Sequence, residues 1–316
     1  MRLALPAAFV ALLAATPALA DVPKVVASIK PVHALVAAIM QGVGEPSLIV
    51  RGAASPHTYA LRPSDAHALA EADLVFWIGP ELEGFLAKPL EATATKATAV
   101  ELMEAPGVTL LDAREGGAWD PHDHGAGNDH GHDHAHGHGH DEGHEEVNTH
   151  VWLDPDNARA MVVAIADALE AKDAAHADAY RANAERTARG LAALDAELKA
   201  TLAPVQDKPF IVFHDAYQYF EAHYGLNGVG AITVNPERRP SAKRLSDIRA
   251  KITSLGAVCV FAEPQFEPAL VDTIVQGTKA RKGVLDPEGA GLSDGPDLYP
   301  TLLRNIAASL KGCLAS

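Results

Sequence analysis

Short apolar runs alternate with helical stretches on either side of a long, Ala-rich, proline-free segment, and this rhythm predicts an α/β protein of two parallel-sheet lobes joined by one long helix. A second observation points to where its chemistry sits. Isolated histidines follow apolar runs or turns, and in doubly wound folds the loops after the strands face the ligand crevice. A third is the run of histidines between residues 122 and 144, which marks a chain that handles a divalent metal.

The chain opens with Arg2, the apolar run Leu3 to Leu13 and Ala18-Leu19-Ala20 before Asp21, the order of a secretory signal with a small-residue cleavage site. A membrane anchor needs about 18 to 20 uninterrupted apolar residues, and Pro6 and Pro17 cut this stretch short. No cysteine follows the cleavage site to take a lipid, so the mature protein is expected to be soluble, without a membrane span, in a periplasm-like compartment. The expected division is a signal peptide over 1–20, a first lobe over 21–173, a connecting helix over 174–203 and a second lobe over 204–316.

In the first lobe Val25 to Ser28 reads as a strand, Pro31 to Met40 as a helix and Ser47 to Val50 as a second strand. Ser64 and Asp65 are expected to cap a helix through Glu71, and Leu74 to Ile78 reads as a buried strand ending at Gly79-Pro80. Residues 112–147 interrupt the rhythm with a disordered His- and Gly-rich loop. Order returns at Thr149 to Leu153, and Asp154-Pro155-Asp156 starts a helix over Ala158 to Glu170. From Ala174 to Leu202 the apolar positions keep helical spacing, and about 29 residues at 1.5 Å each reach roughly 43 Å. The second lobe repeats the pattern: strands at Phe210 to Phe213, Ala231 to Val234, Val258 to Ala262 and near Gly283 to Leu285, with helices from Ala216, after Ser241, from Pro268 and over Leu298 to Leu310.

The net charge of -15 and the absence of a basic patch exclude nucleic acid as a partner and favour cations. Cys259 and Cys313, two cysteines in an exported chain, are expected to pair, and such a bridge would pin the C-terminal helix. A pair of thiolate metal ligands is the weaker reading, because an oxidising compartment removes thiolates and no CxxC spacing is present.

Nine of the sixteen histidines lie in the interrupting loop: His122, His124, His130, His132, His134, His136, His138, His140 and His144. Neutral imidazole binds zinc, copper and nickel, but a segment of this composition cannot bury a core and enforces no single geometry. These residues are read as weak accessory metal ligands. A charged spacer would gain nothing from so scarce a residue. Three other histidines stand in ordered settings: His57 in Ala-Ser-Pro-His-Thr-Tyr, His150 in Asn-Thr-His-Val-Trp-Leu-Asp-Pro and His214 in Phe-Ile-Val-Phe-His-Asp-Ala-Tyr. A lone histidine in such a place is ordinarily a hydrogen-bonded structural residue, whereas three delivered to one crevice would suit zinc. His33, His67, His176 and His223 receive the structural reading, the last two on polar faces. Trp77 and Trp152 are expected in the core, and Asp215 and Asp154 as acceptors for imidazole N–H groups.

At these residues the chain resembles the metal-binding proteins of ABC importers, in particular the ZnuA-type zinc-binding group. The resemblance runs through Ser28-Ile29-Lys30-Pro31, Ser55 to Tyr59 with Leu61 to Asp65, the acidic His-rich insertion, His150 to Pro155, Phe213 to Tyr217, Val234 to Glu237, Phe261 to Gln265 and Leu285-Asp286-Pro287. It implies two α/β lobes joined by a rigid helix, with Zn2+ as the transported ligand in the cleft. His57 and His150 would come from the first lobe and His214 from the second. The implied partner is an ABC permease membrane subunit with a cytoplasmic ATPase, and a monomer is expected. Some relatives carry Glu before the first histidine where this chain has Pro56, so the fourth ligand stays open among Asp286, water, a histidine of the loop and Glu263. A second departure is Ala231, where some relatives have a histidine for a secondary site. Two rival functions fit parts of the pattern: a secreted zinc hydrolase with Glu263 or Asp286 as base, against which no HExxH motif appears, and a passive zinc buffer, which leaves the ordered histidines unexplained.

Overall fold

Each lobe is a parallel sheet because every strand returns to its neighbour through a crossover, most of them helical. The computed structural model describes residues 22–92, 96–114, 119, 147–233, 241–267 and 269–315. The expected signal peptide and the nine clustered histidines lie outside the described residues.

The N-terminal lobe runs β1 (Val25–Ala27), α1 (Lys30–Met40), β2 (Ser47–Leu48), α2 (Pro63–Glu71), β3 (Leu74–Trp77), α3 (Gly84–Ala92) and β4 (Thr98–Glu101). Its strands stand in the order β2-β1-β3-β4, all parallel. Every residue of β1 and β3 is buried, as parallel strands covered on both faces must be. The sequence reading passed over α3 and β4. Pro89 sits inside α3, and β4 is an edge strand with no buried residue, so neither carries a clear apolar period. The expected cap of α2 is also corrected. Arg62 precedes the helix, while Asp65 lies inside it and its carboxylate reaches back to accept the Arg62 N–H at 3.0 Å and the Tyr59 hydroxyl at 2.8 Å.

After the insertion come α4 (Pro155–Lys172) and α5 (Ala177–Leu202). The first starts earlier than expected, because Asp154 caps it by accepting the Asp156 N–H at 2.7 Å and Pro155 fits its first turn. The second is shorter than expected. The Asp173 carboxylate binds His176 Nδ1 at 2.7 Å and the Tyr180 hydroxyl at 2.9 Å, which closes a separate turn before the helix begins. Over its 26 residues α5 buries Tyr180, Leu191, Leu194, Leu198 and Leu202 on one face.

The C-terminal lobe runs β5 (Phe210–His214), α6 (Gln218–Tyr224), β6 (Gly228–Thr233), α7 (Ala242–Ser254), β7 (Cys259–Ala262), α8 (Ala269–Val275), β8 (Arg281–Val284) and α9 (Leu298–Leu314). Its sheet order, β6-β5-β7-β8, repeats that of the first lobe. Helix α5 packs against α1 and α4 on one side and α9 on the other, so one core runs through both lobes. A smaller core lies on the far face of the second sheet, where Ile211 and Phe213 of β5 meet Ile248 of α7 and Val271 of α8. Cys259 of β7 is disulfide-bonded to Cys313 of α9, tying the last helix to the second sheet. Among the described residues no helix is long and apolar enough to cross a membrane.

Candidate metal centre

His57, His150 and His214 converge from three separate segments, with ligand atoms within 4.8 Å of one another. His57 occupies the 3-10 turn Pro56–Thr58 between β2 and α2, where Pro56 presets the backbone. His150 lies just before the turn that leads into α4. His214 ends β5, the central strand at the point where the second sheet's order reverses, which is where such sheets open a crevice.

The ring orientations are held by Asn148 and by Glu263, the latter an expected fourth ligand or base. His150 Nδ1 meets Asn148 Oδ1 at 2.9 Å, and the Asn148 amide donates to the Asp215 carbonyl across the cleft at 2.7 Å. His214 Nδ1 meets Glu263 Oε1 at 2.8 Å. With each Nδ1–H donated to an oxygen, both Nε2 atoms carry lone pairs. His150 Nε2 lies 3.1 Å from His214 Nε2 and 3.4 Å from His57 Nε2. Ring nitrogens at that spacing are bridged either by a shared proton or, once it is displaced, by a metal cation. A tetrahedral ion with bonds of about 2.0 to 2.1 Å puts its nitrogen ligands roughly 3.3 to 3.4 Å apart, close to the two spacings seen here.

Burial favours the neutral imidazole that a metal requires. His57 is pushed down to about 3 by burial and then by His214, and His150 lies well below the ordinary value for the same reasons with His57 added. The pocket they line is open on one side and narrows to ≈ 10 Å³, room for one ion or one water, and its wall includes Pro56, Glu263, Phe266 and Glu288.

Asp286 is committed elsewhere. Its carboxylate accepts the N–H groups of Glu288 at 3.0 Å, Gly289 at 2.9 Å and Ala290 at 2.6 Å, and the Gln265 amide at 3.0 Å. The loop so formed brings Glu288 to the pocket wall, where burial first, then Asp286 and Glu83, hold its carboxyl well above the usual range. The only sequence signal was its place two residues after Asp286. Asp215 and Asp154 do not take ligand N–H groups as expected: Arg114 holds the first and His223 the second. His223 itself is not on a polar face. Its side chain is buried between Asp154 at 3.0 Å and Asp195 at 2.7 Å. Asp154, Asp156 and His223 form a second cluster of metal-ligating residue types, in which both ring nitrogens already face carboxylates.

A bilobal α/β frame with three imidazoles converging in its cleft defines a substrate-binding protein for a transition metal. The match to known proteins narrows the class. The chain belongs to the ZnuA family, the periplasmic component A of zinc-uptake complexes, whose model matches residues 25–313. It is 55% identical over 305 residues to the high-affinity zinc uptake system protein ZnuA of Brucella suis biovar 1 (strain 1330), covering 92% of this chain and 91% of that one. The protein of the same name from Yersinia pestis is 41% identical over 312 residues, covering 96% and 95%. Among solved structures, a zinc-bound deletion mutant of ZnuA superposes with a TM-score of 0.74 at 24% identity, covering 94% of this chain and 99% of that one, a likeness of fold.

Proposed function

We propose that this chain captures Zn2+ in the periplasm at His57, His150 and His214 and delivers it to the membrane permease of an ABC importer driven by a cytoplasmic ATPase. The observation that carries the reading is the convergence of three imidazoles on one point, with His150 Nε2 3.1 Å from His214 Nε2 and 3.4 Å from His57 Nε2. Membership of a zinc-uptake family supports the same metal. The fourth position falls to water or to Glu288 rather than to Asp286, whose oxygens are engaged by four donors. The nine clustered histidines serve as weak collectors, and the chain works as a monomer.

The hydrolase reading is disfavoured by the engagement of both its expected bases. Glu263 is bound to His214 Nδ1, and Asp286, the other expected base, is engaged by three backbone N–H groups and the Gln265 amide. A passive buffer would need only the clustered histidines.

The test is competitive zinc titration against a strong chelator, comparing the mature protein with a His57→Ala/His150→Ala/His214→Ala variant and with a deletion of residues 122–144. The expected result is loss of one tight site in the triple variant and its retention in the deletion. Tight binding that survives the triple substitution moves the function to the clustered histidines, and turnover of ester or peptide substrates returns it to the hydrolase.

A further inference from the structure

Arg114, at the root of the His-rich insertion, reaches across the cleft to the C-terminal lobe. Its Nε lies 2.9 and 3.1 Å from the two carboxylate oxygens of Asp215, its Nη2 also contacts Asp215, and its Nη1 donates to Glu221 at 2.6 Å. Trp119 covers the guanidinium from 3.5 Å. The carboxylates it joins are 9% and 5% exposed, so they are two like charges withdrawn from water with a cation between them. Gly228 makes room for this arrangement, since a Cβ there would lie 2.3 Å from the Glu221 carboxylate.

The clamp is continuous with the ligands. Asp215 follows His214, and its carbonyl accepts the Asn148 amide that also orients His150. Around it, the N-terminal turns of α6 are stitched to the flanks of the insertion. Gln218 donates to the Asp112 carbonyl at 2.9 Å, and the Tyr219 hydroxyl accepts Leu111 N–H at 3.0 Å and donates to the Asn148 carbonyl at 2.7 Å.

We infer that Arg114 is a positioning residue for metal retention: it latches the root of the insertion to Asp215 and Glu221 and thereby holds His150 and His214 at ligand spacing. This rests on the three histidines being the zinc site. Changes to one site show mainly in its dissociation rate, so loss of the latch is expected to act on escape of the metal more than on its arrival. Lysine would keep the charge but lose the planar fork that grips two carboxylates at once.

The experiment is stopped-flow zinc release from the loaded mature protein into a fast chelator, with association measured in parallel, for the parent, Arg114→Gln, Arg114→Lys and the 122–144 deletion. Release about tenfold faster in Arg114→Gln and about threefold faster in Arg114→Lys is expected, with association within about twofold of the parent and release from the deletion, which keeps Arg114, unchanged. Should Arg114→Gln fail to fold, the lysine variant decides alone. Parental release rates in the folded Arg114 variants, or equal acceleration in the deletion, would overturn the latch. Absence of a tight site in the parent, or its survival in the triple histidine variant, would instead overturn the zinc-site reading.

Discussion

His223 ties three elements together. It sits on α6, and its two ring nitrogens bind Asp154 at the start of α4 and Asp195 on α5. Asp154 first, and Asp195 with it, raise its pKa above the ordinary 6.5 against the opposing effect of burial. The ion pairs therefore stabilise the fold fully below about pH 6.5 and lose that contribution as pH rises through the raised value of the folded chain. His223→Gln should cost about 1 to 3 kcal/mol at pH 6 by urea denaturation and much less at pH 9. An equal loss at both pH values would mean that the ring acts uncharged. His57 runs the other way: held near 3 in the fold, it takes a proton more readily when unfolded, so the zinc-free chain should lose stability as pH falls below 6.5. The two residues show what a sequence hides. His57 was legible from the Ser-Pro-His turn around it, whereas the partners of His223 lie 28 and 69 positions away and mark nothing locally. Glu263 drew notice as a candidate ligand or base, but its bond to His214, 49 positions away, marks nothing locally.

Among the elements, legibility followed burial. β1, β3, β5 and β7 read plainly because both their faces are covered and their residues form unbroken apolar runs. β8 is Arg-Lys-Gly-Val at a sheet edge, half of it exposed, and its bounds were read less well. The Ser241 cap of α7 was found from sequence, and its side chain accepts the Arg244 N–H at 3.2 Å. The pairing of Cys259 with Cys313 was also anticipated, and it fastens α9, whose buried face includes Leu302, Leu303, Ile306 and Leu310. The bridge closes a long loop, so Cys259→Ser/Cys313→Ser should lower stability by up to about 4 kcal/mol in the chain-entropy model. Thermal unfolding with and without reductant measures it, and a variant as stable as the parent would show that packing alone holds the helix.

Taken as a whole, the molecule is two copies of one sheet order with no visible sequence repeat, held across the cleft by more than α5. The Trp152 indole donates to the Pro287 carbonyl at 2.9 Å, the Tyr299 hydroxyl to the Trp152 carbonyl at 2.5 Å, and Lys30 Nζ to the Leu292 carbonyl at 2.7 Å. Trp152 stands two residues from His150, so these bonds fix the segment that carries His150 upon the other lobe. Wide hinge opening would break all of them together. Small sliding adjustments are therefore expected on metal binding, and small-angle scattering should find radii of gyration of the zinc-free and zinc-loaded protein within about 1 Å. A larger difference would show that the cross-cleft bonds exchange freely.

The antiparallel bridge between Asp112 and Val147 sets the two ends of the insertion side by side. Chain between such ends is a closed loop whose entropic cost grows only with the logarithm of its length, about 0.6 kcal/mol for each doubling. Repeated His-Gly and His-Asp units can thus be gained or lost through replication slippage with little effect on folding. The stem makes the insertion a cassette, and the number of histidines a quantity that evolution can adjust without disturbing the cleft.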